Sequence, residues 1–104
     1  MKESVNGGGL SDMRNIYMSV DLPNGAGRLV VFDWETGSGS DENLVCLGLD
    51  GRVRWKAKLP TSDPSDCFVA VRLDGDLVRA NSWSCYAVWL DPSTGRTLRT
   101  QFTK

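Results

Sequence analysis

The sequence predicts an all-β domain of about eight antiparallel strands in two four-stranded meander repeats resembling one another, packed as a sandwich or barrel. Three observations carry this. Apolar residues recur with a period of two, most clearly where Tyr86, Val88 and Leu90 alternate with Cys85, Ala87 and Trp89, which places the two sets on opposite faces of a pleated strand. Turn formers punctuate the runs at Pro23-Asn24-Gly25, Asp50-Gly51, Asp74-Gly75 and Asp91-Pro92-Ser93-Thr94-Gly95, where Pro presets φ and Gly takes the positive φ that closes a turn. The chain also repeats itself. Residues 43–60 share the strand, turn, strand plan of residues 84–103, and the segments before them line up as well, giving units of about 45 residues.

In chain order, residues 1–13 are polar, carry Gly7-Gly8-Gly9 and lack periodicity, so a disordered tail is expected, with Met13 a possible natural start. Repeat one is expected over residues 14–60. Its first strand, 15–22, ends at the Pro23-Asn24-Gly25 turn. The second, 27–34, holds the continuous run Leu29-Val30-Val31-Phe32, a pattern of burial on both faces. Residues 35–42 read as an acidic, flexible loop. The following hairpin places Val45, Leu47 and Leu49, then Val53, Trp55, Ala57 and Leu59, on apolar faces. Residues 61–66 are a linker of turn formers. Repeat two, 65–103, holds strands at 67–73 and 76–83 and the final hairpin. In that hairpin Leu98 and Phe102 alternate with Arg99 and Gln101, leaving one wet face.

The run Leu90-Asp91-Pro92-Ser93-Thr94-Gly95-Arg96, preceded by Gly75-Asp76-Leu77-Val78 and an aromatic, resembles the blade repeat of quinoprotein-like β-propellers. In that repeat a Leu-Asp-x-x-Thr-Gly turn joins the last two strands of a blade. The resemblance covers residues 14–103 as two degenerate copies. Asp50-Gly51 has lost the insert in the first. The family's usual tryptophan after the turn survives as Trp55, while Arg99 or its neighbours stand in its place in the second. The resemblance implies strand order. It brings none of the quinone-binding or metal-binding residues of the family's enzymes, so no cofactor and no metal are expected. Propellers have four to eight blades, so two units close on themselves as a sandwich or barrel, or else reach a ring by oligomerisation; a homodimer paired through the fourth or eighth strand is the expected assembly.

At 104 residues the chain fits a single domain. Its 12 Lys and Arg balance 13 Asp and Glu for a net charge of −1, which disfavours a nucleic-acid partner. No apolar run is long enough to span a bilayer, so no membrane role and a cytoplasmic location are expected. The absence of histidine removes the commonest general base and metal ligand, which disfavours an enzyme. Cys46, Cys67 and Cys85 show no zinc-ligand spacing and all fall in expected strands, where small buried thiols are inert.

Binding residues are sought among the four tryptophans and the cations. Trp55 and Trp89 read as core, and Trp34 and Trp83 as seals at the ends of equivalent strands. Trp83, set in Asn81-Ser82-Trp83-Ser84, is the one expected to be exposed and to form a recognition loop. Arg52, Arg54, Lys56 and Lys58 place cations on one strand face, either as an acidic-partner site or as charges that discourage edge aggregation. Candidate binding residues are therefore Asn81, Ser82, Trp83, Trp34, Arg52, Arg54 and Lys56. The leading expectation is a non-catalytic protein-interaction module. The alternative is a small-molecule or carbohydrate-binding domain with a pocket lined by Trp and carboxylates.

Overall fold

The computed structural model describes residues 15–33 and 41–103. The disordered tail expected at 1–13, and most of the expected acidic loop, lie outside the described residues. Eight strands follow in chain order: β1 (Ile16–Asp21), β2 (Arg28–Phe32), β3 (Leu44–Leu47), β4 (Val53–Lys56), β5 (Phe68–Asp74), β6 (Leu77–Ser82), β7 (Tyr86–Leu90) and β8 (Thr97–Phe102). They form two antiparallel four-stranded meanders, β1-β2-β3-β4 and β5-β6-β7-β8. The described helical residues are a single 3-10 turn at Pro23–Gly25, and no helix among the described residues is long and apolar enough to cross a membrane.

Strand alternation explains how the sheets meet. Pairing of Leu29 with Cys46 and of Val31 with Leu44 aligns one face of the first sheet, and pairing of Val78 with Leu90 and of Ala80 with Val88 aligns one face of the second. These faces stack into one buried core that also takes Trp55, Ala57, Phe68 and Val71. Each fully buried aliphatic side chain contributes about 1.5–3 kcal/mol, and truncating Phe68, which is wholly buried, costs about 3–5 kcal/mol. The eight strands stay as two stacked sheets and do not close into a barrel. The other face of the first sheet carries a smaller buried cluster of Val30, Phe32 and Val45, which accounts for the unbroken apolar run of β2.

Two buried polar side chains tie segments distant in sequence, Asn43 between the repeats and Asp66 from the linker to the turn before β7. Asn43 donates through Nδ2 to the carbonyls of Phe32 and Phe68, each at 2.8 Å, and its Oδ1 accepts the Phe68 amide at 2.7 Å. It thereby stitches β2 to the start of β5, satisfying backbone groups that burial would otherwise strand. Asp66 plays the matching part in the linker. Its carboxylate accepts the Thr61 hydroxyl at 2.6 Å, the Ser84 hydroxyl at 2.9 Å, and the amides of Cys67 and Ser84 at 3.0 and 3.1 Å.

Trp55 forms a third fastening. Its indole N–H donates to the Pro92 carbonyl at 2.9 Å, and its ring lies against Gly95, where an added Cβ would meet ring carbons at 2.5–2.9 Å. The turn between β7 and β8 is itself set by Asp91, which accepts the Ser93 hydroxyl and amide and whose backbone carbonyl accepts the Gly95 amide. The edge strand of one repeat is thus seated on the turn of the other.

Several expectations of detail are corrected. Leu49 is not on a strand face: β3 ends at Leu47, and Leu49 sits in the turn, 82% exposed. Val53 is exposed because a register shift between Cys46 and Leu47 interrupts the alternation of β4. Of the three cysteines, only Cys46 lies within a strand. Cys67 precedes β5, and Cys85 occupies the turn before β7 at φ 71°. Both faces of β8 are exposed, Leu98 and Phe102 included. The main strand contacts between the sheets are those of β1 and β2 with β5, at the opposite edge of the second sheet from β8.

Candidate functional site

The features with most to offer a partner gather on the second sheet. The turn from Ser82 to Cys85 leads from β6 into β7, and its backbone is held from three directions. The Trp83 amide donates to the Cys67 carbonyl at 2.8 Å, the Cys85 amide to the Ser82 carbonyl at 3.1 Å, and Ser84 is bound through both amide and hydroxyl to buried Asp66. The Ser82 and Ser84 hydroxyls share a further bond of 2.7 Å. On this fixed frame the Trp83 side chain points away from the core and is 63% exposed. An exposed indole is usually mobile; here the backbone that carries it is not free to rearrange.

Beside that turn, Tyr86 begins β7 opposite Phe102 at the end of β8. Their ring centroids are 5.2 Å apart at 58°, a tilted arrangement favoured by the aromatic quadrupole. Phe102 remains 54% exposed. Trp83, Tyr86 and Phe102 therefore share one end of the sheet, and the edge of β8 runs away from it.

The outer face of the same sheet centres on Trp89, which is nearly buried. Arg79 and Arg99 stack on its ring, with guanidinium carbons 5.1 and 4.5 Å from the centroid, and its indole N–H donates to Asp74 at 2.8 Å. Such cation–π contacts contribute about 0.5–2 kcal/mol each. Arg99 also donates to Gln101 at 2.8 Å. The Nε of Arg79 is buried without a hydrogen-bond partner.

The residues singled out from the sequence are distributed over this framework. Asn81 and Trp83 belong to the second sheet's end, with Ser82 buried beneath as part of the frame. Trp34 lies outside the described residues. The cations belong elsewhere. Arg52 sits in the turn before β4, its amide and guanidinium on Asp50, and Arg54 folds onto the Ala26 carbonyl at 2.6 Å. Arg54 shares a cleft with Pro92 and Ser93, at the opposite end of β7 from Trp83. Lys56 is exposed on the edge strand β4. The ladder of four cations is reduced to two within the strand, Arg54 and Lys56, because β4 spans only Val53–Lys56.

That cleft, of about 300 Å³, opens where turns of both repeats meet, between Leu22, Pro23, Ala26, Leu73 and Pro92. No tryptophan lines it. Among the described residues no three His, Cys, Asp or Glu side chains converge as a metal site. Burial pushes the Cys46 and Cys67 thiols up from their ordinary value, Asp66 and Asp41 adding to the effect at Cys67, so both are held protonated.

The sequence points to an exposed Trp83 and to the eighth strand as one of two pairing edges; it does not show that Trp83, Tyr86 and Phe102 come to one end of that same sheet. Leu98 and Phe102 read as the dry face of the eighth strand, whereas both are exposed. The Asp66 frame left only a weak trace, an Asp among turn formers.

The model of a family described as a domain of unknown function, DUF7957, matches residues 15–102. No curated protein matches the chain.

Proposed function

The chain belongs to the DUF7957 domain family, and on that premise we propose that it is a non-catalytic protein-interaction module that docks partners on the aromatic end and free edge of its second sheet. The observation that carries this is the rigidly framed, 63% exposed Trp83. An anchor indole on a backbone already ordered by Asp66 loses little conformational entropy on binding, and Trp is the residue type most enriched among interface hot spots. The two meander repeats, with Trp55 seated on the Leu90–Arg96 turn, support reading them as blade-like units of quinoprotein-like kind, and three unpaired cysteines fit a reducing, cytoplasmic setting.

A photo-crosslinking residue at position 83 of the full chain, expressed in its source cells, tests the proposal. Discrete protein adducts are expected from position 83 and none from position 93, which lies on the turn at the other end of β7. Trp83→Ala is expected to keep the fold within about 0.5 kcal/mol, as at other exposed sites. The same adduct pattern from both positions, or turnover of a substrate, would overturn the reading.

A second reading, a small-molecule binder, is favoured by the turn-lined cleft, whose size matches the lower end of ligand sites. A ligand that raises the melting temperature of the wild type but not of Leu73→Asp would move the function there.

A further inference from the structure

The edges of the two sheets are unequally defended. β1 packs across to β5, β4 is short and carries exposed Arg54 and Lys56, and β5 packs on β1 and β2. β8 stands at the end of its sheet with all six residues exposed. It has no proline, one cation, and a bulge confined to its first residues, where Leu90 pairs with Thr97. Proteins usually guard an edge of this kind, because unpaired amides and carbonyls recruit another strand.

The direction of those groups follows from the register. The Thr103 amide donates to the Cys85 carbonyl at 2.8 Å, extending the register in which Ala87 faces Gln101 and Trp89 faces Arg99. Antiparallel pairs alternate between hydrogen-bonded and non-hydrogen-bonded. Arg99, Gln101 and Thr103 therefore turn their backbone groups to β7, and Thr100 and Phe102 turn theirs to solvent.

Resting on the reading of this edge as a docking surface, we propose that its partner is a second copy of the chain, β8 pairing antiparallel with β8 about a two-fold axis at Thr100. In that register Thr100 exchanges two backbone hydrogen bonds with the partner's Thr100, Leu98 stands opposite the partner's Phe102, and Arg99 stands opposite the partner's Gln101. The chemistry of each pair is favourable: exposed apolar on exposed apolar, and guanidinium beside an amide oxygen, the contact that Arg99 and Gln101 already make within one chain. Neighbouring registers lose this. An axis at Arg99 sets two guanidiniums face to face, which is destabilising, and an axis at Gln101 separates Leu98 from the partner's Phe102. The result is one continuous eight-stranded sheet with the Tyr86 and Phe102 rings flanking the seam.

Cysteine crosslinking of the full chain in a Cys85→Ser background reads the register. Thr100→Cys is expected to crosslink with itself, its Cα atoms lying about 5.5 Å apart, within disulfide range. Arg99→Cys mixed with Gln101→Cys is expected to crosslink several-fold more than either alone. Self-crosslinking of Arg99→Cys or Gln101→Cys as the dominant product would overturn the proposed axis, and absence of crosslinks from all of them would overturn the pairing. Thr100→Pro removes one outward amide at an edge position where proline is tolerated; loss of the dimer with unchanged circular dichroism is expected. A wild type that stays monomeric while position 83 crosslinks to an unrelated protein would sink the second-copy proposal and leave the docking surface standing.

Discussion

Replacing Gly95 by alanine adds one methyl group where two physical effects coincide. Gly95 has φ +76°, and its Cβ would sit 2.5, 2.6 and 2.9 Å from Cε3, Cδ2 and Cγ of Trp55. The left-handed backbone costs an L-residue about 1–2 kcal/mol. Overpacking against an indole that its own hydrogen bond to Pro92 holds in place adds about 1–3 kcal/mol. The expected loss is about 2–5 kcal/mol, a large share of the roughly 5–15 kcal/mol typical of a domain. Gly75→Ala supplies the control, since Gly75 has φ +59° with nothing within 4 Å of its Cβ position and carries the backbone cost alone. Urea denaturation of both variants, followed by circular dichroism, isolates the Trp55 contact as the difference, about 1–3 kcal/mol. In a Trp55→Leu background that difference is expected to shrink. Equal losses from the two glycine substitutions would refute the claim that Trp55 locks the repeats together.

Asp66→Asn is expected to cost about 2–4 kcal/mol, because all four groups on the carboxylate are donors and an amide leaves some without an acceptor; a change below about 0.5 kcal/mol in the denaturation midpoint analysis would contradict the framing role. The Ser93 hydroxyl, then its amide, lowers the Asp91 pKa from its ordinary 3.8. A depressed folded-state value gives stability that is present above the unfolded value and lost as pH falls through the folded one, so the melting temperature of the wild type should drop more steeply below about pH 4 than that of Asp91→Asn; parallel curves would count against it. With Cys46 and Cys67 buried and held protonated, a thiol reagent at pH 8 should modify Cys85 first and the other two only on unfolding, as mass spectrometry of the adducts would show.

The fold was legible because its determinants are local. Period-two alternation in residues 86–90 and the Asp91-Pro92-Ser93-Thr94-Gly95 turn need no tertiary context, and the internal repeat carried the rest of the strand order. The failures lie where tertiary geometry decides. Leu49 and Val53 fit an apolar alternation, yet the strand stops at Leu47 and the register slips beside it. Leu98 and Phe102 read as a buried face, yet the sheets meet chiefly through β1, β2 and β5, and β8 stays exposed. Asn43 reads only as the first residue of the first hairpin and Asp66 as a linker residue, and only the meeting of linker, β5 and the Trp83 turn shows them as wholly buried hubs. For the site, the polar flanks of Trp83 were enough to single it out, whereas Arg52 is drawn onto Asp50 and Arg54 onto the distant Ala26 carbonyl, contacts that spacing alone does not disclose.

The most direct measurement of the central claim, that the second sheet's free edge is where this module associates, is residue-resolved amide hydrogen exchange over a range of protein concentrations. Arg99 and Gln101, turned toward β7, should be protected throughout. Thr100 and Phe102 should exchange freely in dilute solution and gain protection together as concentration rises. Free exchange of Thr100 and Phe102 at every concentration, with only Arg99 and Gln101 protected, would contradict it.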